Sequence, residues 1–94
     1  MLYRLFLAAT LSTASLAQAQ VLTPEHHACD NPKGDVKPAE QEKACTSVIQ
    51  LGGSKDSLAV AHSNRGQSFM RRRAYDKAIE DYGQAIALDP RLVA

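Results

Sequence analysis

The feature that most constrains this chain is a pair of apolar stripes at helical spacing, separated only by residues 71–74. In residues 75–88, bulky and small apolar side chains recur at intervals of three and four, with charged residues mostly on the opposite side. Residues 58–70 carry a weaker stripe of the same period. Because residues 71–74 allow only a short turn, the two helices must run antiparallel. The sequence therefore predicts an all-α fold built on a helix-turn-helix hairpin.

The polar residues around this hairpin have structural explanations. Residues 54–57 offer N-cap side chains for the first helix. Pro90 disfavours helical geometry in the residue before it, so the second helix should end there. We expect the carboxylates of Asp76, Glu80 and Asp81 to form a solvated face of the second helix. No catalytic role is predicted for them.

Residues 59–92 carry small, aromatic and turn-forming residues at fixed spacings. They are Gly66, Phe69, Tyr75, Ala78, Tyr82, Ala85 and Pro90. This set resembles the signature of the tetratricopeptide repeat, a helical hairpin of about 34 residues that forms an α-solenoid unit. Two positions depart from the family pattern. Arg65 stands where an aliphatic residue is usual, and Arg73 replaces the turn glycine, which normally relieves a left-handed cap.

The resemblance also extends to the segment before this repeat. Residues 41–49 can be aligned with residues 78–86 at an offset of 37 positions, which brings Cys45 to the position of Tyr82. We therefore interpret residues 39–51 as the second helix of a degenerate half repeat. More loosely, the chain is similar to exported bacterial tetratricopeptide proteins in which a Cys-containing N-terminal arm precedes an Asn-Arg-Gly repeat.

Residues 1–19 have the pattern of a secretory signal peptide. Arg4 is the only charge, an apolar stretch runs to Leu16, and small residues precede the position after Ala19. Cleavage there would leave Gln20 as the new N-terminus. The alternative is an uncleaved anchor, but the apolar stretch is too short to span a bilayer comfortably. We expect a periplasmic or secreted protein with no stable membrane span after signal removal.

The two cysteines fit that compartment. Cys29 and Cys45 are the only ones, and an even count in a small exported chain predicts a disulfide. Because the segment between them is rich in Pro, Gly and charge, we predict that residues 20–38 form an irregular arm tied down by this bond. The alternatives are free thiols, or a small periplasmic metal-binding protein that uses His26, His27 and Cys29. Metal capture needs a thiolate, which a disulfide removes.

Composition argues against other classes of protein. A chain of 94 residues with a net charge of +1 and five Phe and Tyr residues lacks the basic excess and aromatic platform of nucleic-acid-binding domains. The run of arginines at residues 71–73 is placed where cations favour a helix C-terminus. No phosphate loop, zinc signature or nucleophile elbow is present. The sequence therefore predicts neither an enzyme nor a cofactor.

The family resemblance implies a concave surface, lined by the first helix, that holds a peptide or partner protein. By position it comprises Val60, Ser63, Asn64, Gln67, Met70 and Arg71. Asn64 and Arg71 would suit a carboxylate, as in family members that grip a C-terminal peptide. A structural alternative stays open, in which Asn64 forms a hydrogen bond near a helix crossing and Arg71 is solvated.

A single hairpin leaves apolar surface on both flanks, so repeats of this kind need neighbours. Residues 39–51 can cover one flank, whereas only residues 91–94 follow Pro90 on the other. We therefore expect a longer array, association with a partner or a second copy, or marginal stability. The predicted function is a non-catalytic scaffold for protein or peptide binding in the cell envelope; the alternative is the metal-binding protein described above.

Overall fold

The structure, a computed structural model, describes residues 23–93. In this part of the chain the elements are α1 Pro24–Asp30, α2 Pro38–Leu51, α3 Lys55–Arg71, α4 Tyr75–Leu88 and a 3-10 turn, Pro90–Val93. All of the regular structure described is helical, which confirms the predicted all-α class. The predicted signal peptide, residues 1–19, and its cleavage site between Ala19 and Gln20 lie outside the described residues.

Helices α3 and α4 form the predicted antiparallel hairpin, named here the C-terminal hairpin. Ser54 caps α3, since its hydroxyl oxygen accepts a hydrogen bond from the backbone N–H of Ser57 at 3.1 Å. Helix α3 therefore begins three residues earlier than the apolar stripe that starts at Leu58. Helix α4 ends before Asp89, whose backbone is extended ahead of Pro90, as the sequence predicts.

The turn of this hairpin is closed by an arginine in a left-handed conformation. Arg73, at the place of the usual glycine, has φ 61°. Its N–H donates to the carbonyl of Met70 at 3.0 Å, and the N–H of Ala74 donates to that of Phe69 at 2.9 Å. A side chain in this region costs about 1 kcal/mol, so the two hydrogen bonds and the packing of the helices have to offset that strain.

The N-terminal arm is more ordered than predicted. We expected irregular structure throughout residues 20–38, but α1 forms within them. Thr23 and His26 make a reciprocal capping box, and Pro24 occupies the first helical turn. Asn31 ends the helix in the left-handed region, with φ 48°. The capping residues were overlooked in the sequence because the adjacent residues 31–37 are rich in Pro, Gly and charge. Those residues form an irregular loop, as expected.

Helices α1 and α2 pack together as a second, shorter hairpin, named here the N-terminal hairpin. The Cys29–Cys45 disulfide joins them, with a Cα–Cα distance of 4.6 Å, as the sequence predicts. Helix α3 packs on α2 on one side and on α4 on the other. A small core of Ala44, Cys45 and Val48 meets Ala61 of α3. Residues 39–51, predicted to be the second helix of a half repeat, lie within α2, and the N-terminal hairpin covers one flank of α3.

Candidate functional site

The predicted binding residues lie along one side of α3, and this set is named the α3 face. It comprises Val60, Ser63, Asn64, Gln67, Met70 and Arg71. Val60 and Met70 are each 45% exposed, and Gln67 is exposed as well. Ser63 and Asn64 are half-buried. The face thus offers an apolar and polar strip to solvent.

Arg71 of the α3 face is held by the N-terminal hairpin. Its Nη1 donates to Oε1 of Gln41 at 3.0 Å, and its Nη2 donates to the carbonyl of Val36 at 2.9 Å. Gln41 is buried, and its Nε2 donates to the carbonyl of Cys29 at 2.9 Å. Gln41 therefore links Arg71 to α1, and the guanidinium is exposed but not free.

Asn64 is also engaged by α1. Its Nδ2 donates to Oδ1 of Asp30 at 3.2 Å, across the gap between α3 and α1. A structural hydrogen bond of this kind is one of the two roles that the sequence left open for Asn64. Binding of a partner carboxylate by Asn64 and Arg71 stays a prediction, and in this structure both donors point to acceptors of the N-terminal hairpin.

A partly buried ion pair joins α3 to α4, and the expected exposure of its acid was wrong. Asp81, expected on the solvated face, is only 3% exposed. Arg65 donates through Nε to Oδ2 at 2.7 Å and through Nη2 to Oδ1 at 2.8 Å. His62 Nδ1 lies 3.0 Å from Oδ1, and Arg65 Nη1 reaches the hydroxyl of Thr46 on α2 at 3.2 Å. The cluster ties three helices together.

The charges in this cluster stabilise each other. Burial alone would raise the pKa of Asp81, but the hydrogen bonds from Arg65 and His62 and their charges outweigh it and lower that pKa below its ordinary value. The hydrogen bond to Asp81 raises the pKa of Arg65. The arrangement keeps Asp81 ionised and explains why Arg65 is tolerated at a position where the family has an aliphatic residue.

One signal in the sequence could have revealed the pair. Arg65 and Asp81 are 16 positions apart, the same separation as the neighbouring signature residues Gly66 and Tyr82. Those two are in close contact, because a Cβ atom added to Gly66 would lie 2.8 Å from Cε1 of Tyr82. Arg65 precedes Gly66 and Asp81 precedes Tyr82, so the contact between Gly66 and Tyr82 also brings Arg65 close to Asp81. An arginine at this normally apolar position therefore indicates an ion pair with Asp81.

The described residues give no support to the alternative metal site. Cys29 is bonded to Cys45, and His26 Nδ1 lies 2.8 Å from the Thr23 hydroxyl in the capping box of α1. His27 is exposed. Within residues 23–93, no three or more His, Cys, Asp and Glu side chains are grouped so that they could hold a metal ion.

The outer side of α4 is an apolar surface, named the α4 flank. It comprises Tyr75, Ile79 and Ile86, which lie on one side of the helix by their spacing, and Leu92 of the 3-10 turn is also exposed. Ile79 is 68% exposed and Tyr75 52% exposed, although the sequence stripe places both among apolar positions. The apolar stripe of α4 is wider than the surface that α3 can cover.

Over residues 23–93, no helix combines the length and the apolar character needed to cross a bilayer.

Comparison with known families supports the resemblance seen in the sequence. Residues 59–92 match the family model described as Tetratricopeptide repeat. The matched segment covers most of α3, all of α4 and the start of the 3-10 turn. Neither the curated proteins nor the solved structures gave a match to the chain.

Proposed function

Because residues 59–92 of this chain form a tetratricopeptide repeat, we propose that the protein is an exported, non-catalytic scaffold that binds a protein or peptide partner. Repeats of this type mediate protein–protein interactions, since their stacked helices present extended concave surfaces. The pattern of residues 1–19 supports export through a secretory signal, and we therefore propose that the scaffold acts in the periplasm or outside the cell.

The observation that carries this proposal is the combination of the repeat with the uncovered α4 flank. One hairpin cannot bury both of its apolar sides, and within residues 23–93 the N-terminal hairpin covers the α3 side while the α4 side stays exposed. The flank, which includes Tyr75, Ile79 and Ile86, therefore favours a neighbour. That neighbour is a further repeat in a longer array, a second copy of the chain, or the partner itself.

The α3 face is proposed as the contact surface for the partner. Val60, Gln67 and Met70 are exposed there, and they lie at helical spacing that a peptide along the face can meet. An exposed Met beside polar side chains suits an adaptable binding surface. Asn64 and Arg71 would add hydrogen bonds only after the N-terminal hairpin gives up its acceptors.

A comparison of two surface variants tests the proposal. Val60→Glu with Gln67→Lys alters the α3 face, Ile79→Glu alters the α4 flank, and Gln84→Glu is the control at an exposed polar position of α4. Each protein is immobilised and exposed to envelope extract, and captured proteins are quantified by mass spectrometry. Sedimentation of the free proteins measures self-association, and circular dichroism checks that each variant is folded.

We expect the α3-face variant to capture about tenfold less of its specific partner, or less still, because substitution of residues at the centre of an interface has effects of this size. Ile79→Glu should abolish any self-association, and the control should match the parent. If both variants retain every protein that the parent captures, the scaffold proposal fails for these two surfaces. Mass analysis of the exported chain is expected to show that it begins at Gln20.

A further inference from the structure

Helix α1 is the shortest of the four α-helices in residues 23–93. It has seven residues, and the only one of them that is buried is Cys29. Isolated helices of this length are unstable in water, because nucleation costs more than a few hydrogen bonds return. Cys29 is therefore both the covalent link of α1 and its one fully buried side chain.

Two hydrogen bonds from side chains of α2 and α3 also hold α1. The carbonyl of Cys29 accepts the hydrogen bond from Gln41, and Asp30 accepts the one from Asn64. Thr23 and His26 cap the helix internally and tie it to nothing else. Without the bond to Cys45, these two hydrogen bonds and the packing of Cys29 and Ala28 against the core would remain.

Helix α2, in contrast, has its own attachments to α3. Ala44 and Val48 are buried in the core that includes Ala61. Glu42 forms an ion pair with Arg72, and the hydroxyl of Thr46 accepts a hydrogen bond from Arg65. Cys45 lies in the same core, but the contacts of Ala44, Val48, Glu42 and Thr46 do not depend on its bond to Cys29, so α2 can remain on α3 when α1 leaves.

We propose that the Cys29–Cys45 disulfide is a redox-controlled latch that holds α1 and residues 31–37 against the α3 side of the protein. When it opens, Asn64 loses Asp30 as acceptor and Nη2 of Arg71 loses the carbonyl of Val36, while Nη1 keeps Gln41 on α2, so Asn64 and Nη2 of Arg71 become available at the α3 face. This inference rests on the proposed function in one respect: it makes the latch a regulator of partner binding at that face.

The chemistry of opening requires a dithiol reductant. One of its thiolates attacks a sulfur of the disulfide and forms a mixed disulfide; the second thiol then displaces the protein sulfur and closes a ring. The reductant gives up two electrons and two protons, and the protein gains the two thiols of Cys29 and Cys45. Because both residues are buried, attack requires local opening of α1, which is the least supported helix.

Hydrogen exchange of the purified chain tests the latch. The oxidised protein is compared with protein reduced by dithiothreitol and alkylated, and with the variant Cys29→Ser plus Cys45→Ser. We expect amides in residues 27–31 to exchange at least about tenfold faster in both disulfide-free forms, with α4 amides unchanged. Unchanged exchange in residues 27–31 overturns the latch, and so does equal loss of protection across all four helices.

Partner binding then separates the latch from the scaffold. If a partner captured by the α3 face binds the reduced form more tightly than the oxidised form, regulation by the latch is supported. Equal binding to both forms overturns the regulation and leaves the scaffold proposal standing. Loss of protection in α1 without capture of any partner supports the latch as a structural device and contradicts the scaffold.

Discussion

In each of the two hairpins, a pair of residues at equivalent positions joins the two helices, but the kind of contact differs. Helices α2 and α4 each have 14 residues. Cys29 lies 37 positions before Gly66, and Cys45 lies 37 positions before Tyr82. In the N-terminal hairpin this pair is a covalent bond; in the C-terminal hairpin it is a glycine against an aromatic ring, with no room for a Cβ atom between them.

The difference between the hairpins lies in how much apolar surface their first helices bury. Helix α3 has 17 residues and five buried positions, whereas α1 has seven residues and one. A short helix gains too little from burial to offset its loss of conformational entropy. A disulfide lowers the entropy of the unfolded chain instead. In the N-terminal hairpin, the disulfide therefore supplies the stabilisation that apolar burial by a longer first helix supplies in the C-terminal hairpin.

The largest effect is expected from Asp81→Asn, which breaks the polar tie of the C-terminal hairpin. The free energy of unfolding should fall by about 2–4 kcal/mol, because Arg65 keeps its charge while its buried partner loses one. Urea denaturation followed by circular dichroism measures the change. Asp76→Asn is the matched control on the exposed side of α4 and should alter stability by no more than about 0.5 kcal/mol. Equal effects at both positions would contradict the assigned role of Asp81.

Arg65→Leu restores the residue type usual in the family, yet we expect it to destabilise this protein by about 2 kcal/mol. The leucine leaves Asp81 buried, with His62 as its remaining side-chain partner. Combining it with Asp81→Ala should recover most of the loss, since an apolar pair can replace a buried ion pair without penalty. A double-mutant cycle in denaturant measures the coupling. Additive effects of the two substitutions would show that the residues do not act as a pair.

Low pH should weaken the ion pair between Arg65 and Asp81. The pKa of Asp81 is lowered in the folded protein, so its stabilising effect is complete above the ordinary aspartate pKa, near 4, and is lost as the pH falls through the lowered value. The stability gap between the parent and Asp81→Asn should therefore narrow as the pH falls from about 5 to about 3. Chemical denaturation across that range gives the gap. A constant gap would mean that Asp81 is not the group that titrates.

How much the sequence predicted depended on the kind of contact. The C-terminal hairpin followed from apolar periodicity, and the disulfide from the cysteine count, because both are local or compositional signals. The burial of Asp81 was missed, since a helical period gives the face of a residue but not the charge that faces it from Arg65. Helix α1 was missed because seven residues are too few to show a period, and its capping box was outweighed by the loop beside it.

Exchange of the two devices would sharpen the comparison. If Gly66 and Tyr82 are equivalent to the natural cysteines, Gly66→Cys with Tyr82→Cys should form a second disulfide on air oxidation. Loss of the Tyr82 ring offsets most of the entropic gain, so we expect a net change of about 1 kcal/mol or less. Thiol counting in denatured, unreduced protein detects the bond. Two free thiols per chain would show that the two hairpins are not closed at equivalent positions.

The smallest expected effect concerns the two glycines of the C-terminal hairpin. Gly83 in α4 has nothing within 4 Å of an added Cβ, so Gly83→Ala should stabilise the protein by about 0.5–1 kcal/mol through helix propensity alone. At Gly66 the same substitution gains the same propensity but places a methyl group 2.8 Å from the Tyr82 ring. We therefore expect Gly66→Ala to be less favourable than Gly83→Ala in parallel thermal unfolding, with the difference removed by Tyr82→Ala. Equal stabilisation at both positions would mean that the Tyr82 ring moves aside freely, and that the C-terminal hairpin is closed by less specific packing than its disulfide-bonded counterpart.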